Sequence, residues 1–138
     1  MSTLLELVHL HYDGLDSGDV DTASRPFSDD VAAEFPTGPT RGIAALRATI
    51  GAFITAFPDM KIERGHIWQD GNTAVAEVRF TGTHGGPLAT ASGEIPPTRR
   101  QVSFPLIDIF TLGDGGVTEH RVYWDNASFL TQLGLLPE

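Results

Sequence analysis

Asp108 and His120 are the two side chains whose types and spacing best support proton transfer. Asp108 lies within QVSFPLIDIFTL, Gln101 to Leu112, where period-2 alternation places Val102, Phe104, Leu106, Asp108, Phe110 and Leu112 on one face. Five of these six are large and apolar, and the sixth is a carboxylate. An ionised carboxylate is costly in apolar surroundings, so Asp108 must be paired, reached by water or protonated. After the Gly113-Asp114-Gly115-Gly116 turn, the segment Val117 to Asp125 returns as a second strand. Its alternation puts Thr118, His120, Val122 and Trp124 on one face, with Glu119, Arg121 and Tyr123 on the other. A buried acid beside an imidazole can share or relay a proton, and burial can raise the acid's pKa by up to about 3–5. The plainer reading is a static Asp–His contact that closes a core.

Other groups carry less chemistry. His11, next to Tyr12, falls on the apolar stripe of the first helix, where a lone histidine is commonly a satisfied core group and otherwise a donor or base. His66 and His84 alternate onto strand faces with Trp68 and Phe80 and are candidates for a pocket wall. The histidines lack the tight spacing, with a carboxylate alongside, of a metal site, so no metal is expected. Gly82-Thr83-His84-Gly85-Gly86 opens no helix and is no phosphate cradle. Nothing matches a nucleophile elbow, and the absence of cysteine removes thiolate chemistry and disulfides.

These residues need positioning elements. Ser2/Thr3 to Leu15 reads as an amphipathic helix, broken at Asp16 to Asp19, and Val20 to Pro26 as a short second helix. Phe27 to Asp30 reads as a turn, Val31 to Phe35 as a short strand and Pro36 to Thr40 as a loop. The strongest helical stripe spans Gly42 to Phe57 and is stopped by Pro58. Strands follow at about Met60 to Gln69 and Thr73 to Thr83, joined through Asp70-Gly71-Asn72. Gly85 to Thr98 reads as a polar, mobile insert at the rim of a cavity. Leu130 to Leu136 reads as a short terminal segment, with Asp125 expected to cap or brace it. This order implies a single α+β domain over residues 1–138, with N-terminal helices packed on a curved antiparallel sheet. Such a sheet makes a cone whose open end suits a small apolar ligand. Phe35, Phe53, Phe80, Phe110, Val122 and Trp124 would supply its walls, with Tyr12, Trp68 and His84.

The formal charge of −9 opposes non-specific nucleic-acid binding, and Arg99-Arg100 is too small a basic patch to change that. No basic n-region precedes an apolar stretch, and no apolar run approaches about 18 residues, so neither signal peptide nor membrane span is expected and cytoplasm is the default location.

The run GTHGGPLATASGEIPPTRRQVSFPLIDIF followed by GDGGVTEHRVYWDNASFLTQLG resembles the SnoaL-like polyketide cyclases, within the nuclear-transport-factor-2-like and ketosteroid-isomerase-like superfamily. FPDMKIE and the first helix followed by SGDVD fit that superfamily too, so the resemblance covers nearly the whole chain. It implies a cone-shaped α+β barrel. It places Val122 where the anthracycline cyclases, and the limonene-epoxide-hydrolase relatives, carry an aspartate, and Asp108 where the cyclases carry a partner histidine. Against ketosteroid isomerase, Asp108 matches the hydrogen-bond-donating aspartate, His11 falls near the oxyanion-hole tyrosine, and Phe35 falls near the base. Relatives are often dimers through the convex sheet face, here bearing Ile107, Ile109 and Tyr123.

The reading that follows is a cofactor-free enzyme moving protons on an apolar carbonyl compound, polyketide- or steroid-like, as a cyclase or isomerase. Asp108 would donate a proton to the substrate or exchange one with it, His120 would be its base partner, and His11 or Tyr12 would add a donor. The alternatives are a non-catalytic binding module of the same fold and an epoxide hydrolase or hydratase.

Overall fold

The computed structural model describes residues 2–136. Helix α1 (Leu4–Ser17) starts at a reciprocal cap: the Thr3 hydroxyl accepts from the Glu6 N–H at 3.1 Å and the Glu6 carboxylate accepts from the Thr3 N–H at 3.0 Å. It ends at Gly18 in the left-handed conformation, and Asp19 caps α2 (Val20–Ser24). The buried stripe of α1 is Leu4, Val8, His11 and Tyr12, the 4-3-1 spacing of one helix face.

Next come β1 (Phe27–Phe35), β2 (Gly38–Arg41) and α3 (Ile43–Ala56), then β3 (Lys61–Asp70) and β4 (Thr73–Thr83). A separate hairpin, β5 (Leu88–Thr90) with β6 (Gly93–Ile95), precedes β7 (Gln101–Gly113), β8 (Gly116–Tyr123) and α4 (Asn126–Gln132). The main sheet has the order β2-β1-β8-β7-β4-β3. All its pairs are antiparallel except β1 with β8, which is parallel. The helices α1 and α3 cover its concave face, and the fold is the α+β architecture expected from the sequence pattern. No helix among the described residues is long and apolar enough to cross a membrane.

Two segments differ from the sequence reading. Phe27 to Asp30 is the first half of β1, not a turn: Phe27 is buried and anchors it, while Asp29 and Asp30 are exposed where the pairing with β8 is irregular. Pro36 to Thr40 is not a continuous loop, since β2 forms a hairpin with β1; Pro39 is tolerated because β2 is an edge strand. Asp125 caps α4 by accepting from the Ser128 N–H at 3.0 Å.

The insert from Gly85 to Thr98 is not the irregular rim that its composition suggested. It carries the β5–β6 hairpin, buries Leu88, and ties Gly85 and Gly86 to the Ala56 carbonyl at the end of α3. None of its residues lines the cavity described next.

Candidate active site

The inward row of β7 is Val102, Phe104, Leu106, Asp108 and Phe110, all buried. Asp108 sits opposite Ala76 on β4 and Val122 on β8, and Phe110 sits opposite His120. The sheet therefore presents Asp108 and His120 on one face, one register step apart on neighbouring strands. Helix α1 closes over them with His11 and Tyr12.

The contacts are specific. The Tyr12 hydroxyl donates to Oδ2 of Asp108 at 2.5 Å. Oδ1 of Asp108 lies 3.6 Å from Nε2 of His120, too long for a direct hydrogen bond. Nδ1 of His120 is buried without a hydrogen-bond partner, so the protein does not fix that ring's tautomer. His11 differs: its Nδ1 faces the Ala23 carbonyl at 2.8 Å, so Nδ1 carries the hydrogen and Nε2 is left as an acceptor. Its ring centroid is 5.6 Å from that of His120.

Burial sets the electrostatics. It pushes the Asp108 carboxyl up to about 7, although the Tyr12 hydrogen bond pulls the other way. It also raises the Tyr12 phenol far above its ordinary value, so Tyr12 remains a donor. His11 is lowered to about 4 by burial, and His120 well below 6.5 by burial and then by His11 beside it. The cluster is thus a neutral network with one carboxyl able to change state near pH 7.

These shifts make a stability prediction. Both histidines are neutral in the folded protein, whereas the unfolded chain takes up their protons near pH 6.5, so they cost stability as pH falls from about 6.5 towards 4. Asp108 acts in the opposite sense, because the folded state binds its proton first on acidification. Two histidines outweigh one carboxyl below pH 6.5. His11→Gln should flatten the acid limb, so that wild type loses about 2 kcal/mol more than the variant between pH 6.5 and 4.5. Urea denaturation at three pH values checks this; equal slopes would remove His11 as a source of acid sensitivity.

The network forms one wall of a cavity with about 590 Å³ of unfilled space, part of it continuous with solvent. Phe35, Phe53, Phe80, Val122 and Trp124 line it, as the sequence suggested. Phe104 and Leu106 on β7, and Leu46, Thr49 and Ile50 on α3, also line it and were not singled out from sequence. Their signal was present in the apolar stripes of those elements, but stripe membership alone does not separate cavity wall from filled core. Thr49 is the one hydroxyl side chain other than Tyr12, and no lysine or arginine lines the space. The indole N–H of Trp124 is engaged by Oδ1 of Asn126 at 3.1 Å, so this ring offers the cavity its apolar surface.

Four expected wall residues, Trp68, His66, His84 and Phe110, lie elsewhere. Trp68 is 49% exposed and stacks on His66 at 4.5 Å, on the outer face of β3. A bulge between Arg64 and Ile67 reverses the parity of that strand, turning Ile67 inward and Trp68 outward. His84 is buried past the far end of the cavity against Phe57, where its Nδ1 accepts from the Thr98 N–H at 3.2 Å. Phe110 is fully buried beneath the site, with its ring 4.6 Å from His120, and supports the network without lining the space.

Comparison with known proteins agrees with this architecture. The pattern of the SnoaL-like domain matches residues 8–120. No curated protein matches the chain. Among solved structures, a proposed SnoaL-like polyketide cyclase from Jannaschia sp. CCS1 superposes with a TM-score of 0.83 at 23% identity, covering 99% of this chain and 98% of that one. TsrD from Streptomyces laurentii gives 0.81 at 27% identity, covering 96% and 95%. SalBIII, an epoxide hydrolase/cyclase-like enzyme with a role in pyran ring formation in the polyether salinomycin, gives 0.72 at 26%, covering 90% and 92%. With a family pattern spanning most of its length and the fold that goes with it, this chain belongs to the SnoaL-like domain family.

Proposed function

We propose that this protein is a small-molecule enzyme of the cyclase or isomerase kind, moving a proton between Asp108 and a neutral, largely apolar carbonyl substrate without a cofactor. The observation that carries the reading is the Tyr12–Asp108 hydrogen bond set in the wall of an apolar cavity, with His120 at 3.6 Å. A carboxyl with a pKa of about 7 is populated in both forms at neutral pH, the condition under which one group can serve as both base and acid. Tyr12 occupies Oδ2, so Oδ1 is the oxygen that takes a proton from the carbon next to the carbonyl and returns it elsewhere on the ligand. His120, neutral and uncommitted, is the partner that donates to the substrate oxygen as negative charge develops there. The absence of any lining cation favours a neutral ligand over an anionic one.

Asp108 is the one carboxylate among the lining residues, while Val122 and Phe35 occupy the places at which the family resemblance puts further acids. That observation supports a second reading, a binding module that keeps the pocket without the chemistry. The likeness to SalBIII supports a third, in which protonated Asp108 opens an epoxide. Deuterium wash-in separates proton transfer from the binding module, and turnover of an apolar epoxide tests the third reading. Apolar cyclic enones and aryl ketones are incubated with the protein in D₂O and followed by mass spectrometry. Saturable incorporation next to the carbonyl, above the protein-free rate, is expected. Saturable binding with only the protein-free rate across the panel would leave the binding module.

A further inference from the structure

Arg64 is a charge on the wrong side of the sheet. The alternation of β3 turns Ile62 inward opposite Phe80, and Arg64 inward opposite Val78, before the bulge at Gly65 and His66. A Cβ at position 65 would stand 2.7 Å from the Glu77 carbonyl oxygen, so the bulge depends on glycine there. Helix α1 covers Arg64 and supplies its partners: Asp13 at 2.6 Å, Asp16 at 3.7 Å and Nδ1 of His9 at 2.9 Å. With its fork held this way, the guanidinium carbon lies 5.5 Å from the centre of the Tyr12 ring. The other end of that ring is the hydroxyl that donates to Asp108.

We propose that Arg64 is a positioning residue for Asp108 that acts through Tyr12, fixing the phenol ring and strengthening its hydroxyl as a donor to the carboxylate. A cation against an aromatic ring withdraws electron density from it, which makes a phenolic O–H a better donor. Asp13 and Asp16 balance the arginine charge at longer range, so its influence falls on its near neighbours, the Tyr12 ring it touches and His11. The other titratable groups around the carboxyl are His11 on α1 and His120 on β8; β4 and α3 present only uncharged side chains to the cavity. Lys61, the remaining cation at this corner, is directed to the Asp16 carbonyl. The inference rests on Asp108 being the proton-carrying group, but its test does not need turnover.

The experiment titrates the Asp108 side-chain carboxyl by carbon-13 NMR in aspartate-labelled protein, with the resonance assigned by its loss in Asp108→Asn. Arg64→Met should move the midpoint upward by about half a pH unit, because a weaker donor stabilises the carboxylate less. Arg64→Lys, which keeps the charge but not the fork, should recover part of that change. Arg64→Gln, which can still bond Asp13, gives the same readout should the methionine variant fold poorly. In a Tyr12→Phe background, already shifted upward, removing Arg64 should add nothing. An unmoved midpoint in the Met and Gln variants overturns the proposal, as does an equal shift in both backgrounds, which would indicate a direct field or general loosening. A midpoint that moves as expected alongside absent wash-in would remove the proton-transfer reading and leave the positioning role standing.

Discussion

Asp108→Asn is expected to lower turnover by roughly 10²-fold or more, the scale at which a positioned acid–base group acts. The amide keeps the size of the carboxylic acid and can still accept from Tyr12, but it cannot exchange a proton. His120→Gln should cost less, since the glutamine amide or a water can still donate to the substrate oxygen. Asp108→Asn also has a stability signature of defined sign. Asp108 titrates at about 7 in the folded protein against 3.8 in a free side chain. A raised pKa means that stability is full below the unfolded value and is lost as pH rises towards the folded one. The Asp108 contribution to wild-type stability, set against the opposite one from the two histidines, should therefore fall between about pH 4 and 7 by an amount that Asp108→Asn abolishes, on the order of 3–4 kcal/mol for a fully buried carboxyl. Denaturation of both proteins at pH 5 and 8 measures it: the variant should gain on wild type at the higher pH. Near-wild-type turnover with that gain intact would show a buried acid that the chemistry does not use.

Gly14→Ala should be the most damaging single methyl group in the helical layer. A Cβ there would stand 2.2 Å from the backbone nitrogen of Ala23 and 2.5 Å from its Cα, and both belong to α2 rather than to a side chain that can turn away. Alanine brings about 1 kcal/mol of helix propensity, which the collision exceeds. To relieve it, α2 must move off α1, and Ala23 carries the carbonyl that holds His11. We expect a net loss of about 3 kcal/mol, visible as a lower urea midpoint. Gly51→Ala is the internal control: its added Cβ meets only a Val20 methyl at an ordinary 3.9 Å, and stability should hold or rise slightly. A small effect at Gly14 would mean that α2 yields more easily than its packing implies.

The alternation of β7 made its inward row, Asp108 included, readable from the sequence, because a strand buried on one face writes its register in its side chains. Where that parity is interrupted, the reading failed. On β8 the sequence turns Thr118 inward, yet Val117 is the fully buried residue; pairing shifts between Thr111 and Leu112 and leaves Thr118 unopposed. The bulge at Gly65 and His66 similarly sent Trp68 outward; the glycine inside the strand was its one local signal, and it went unread. Composition misled at Phe27 to Asp30, where Asp29 and Asp30 sit on an exposed stretch of strand after the buried Phe27 and Ser28. Parity also says nothing of depth: His84 and Phe110 belong to inward rows but fall beyond the two ends of the cavity. Tyr12 and His11 were both candidates on α1, and only the docking of that helix shows that the hydroxyl meets Asp108 while the imidazole turns to α2.

The parallel pairing of β1 with β8 governs when this site can exist. β8 lies between β1 and β7, so the strand that joins the early half of the chain to the late half is the last one synthesised. Tyr12 and Asp108 are 96 residues apart, and their hydrogen bond needs β7 paired with β4 under α1, whereas His120 joins them only with β8. Until β8 inserts, α1 can dock on the β3–β4 hairpin, but β1 and its partner β2 remain unjoined to the rest of the sheet. Loop closure over such a span is slow relative to local helix and hairpin formation. The complete network, His120 beside the acid and its donor, is therefore a late product of folding, assembled only once the final strand locks the two halves together.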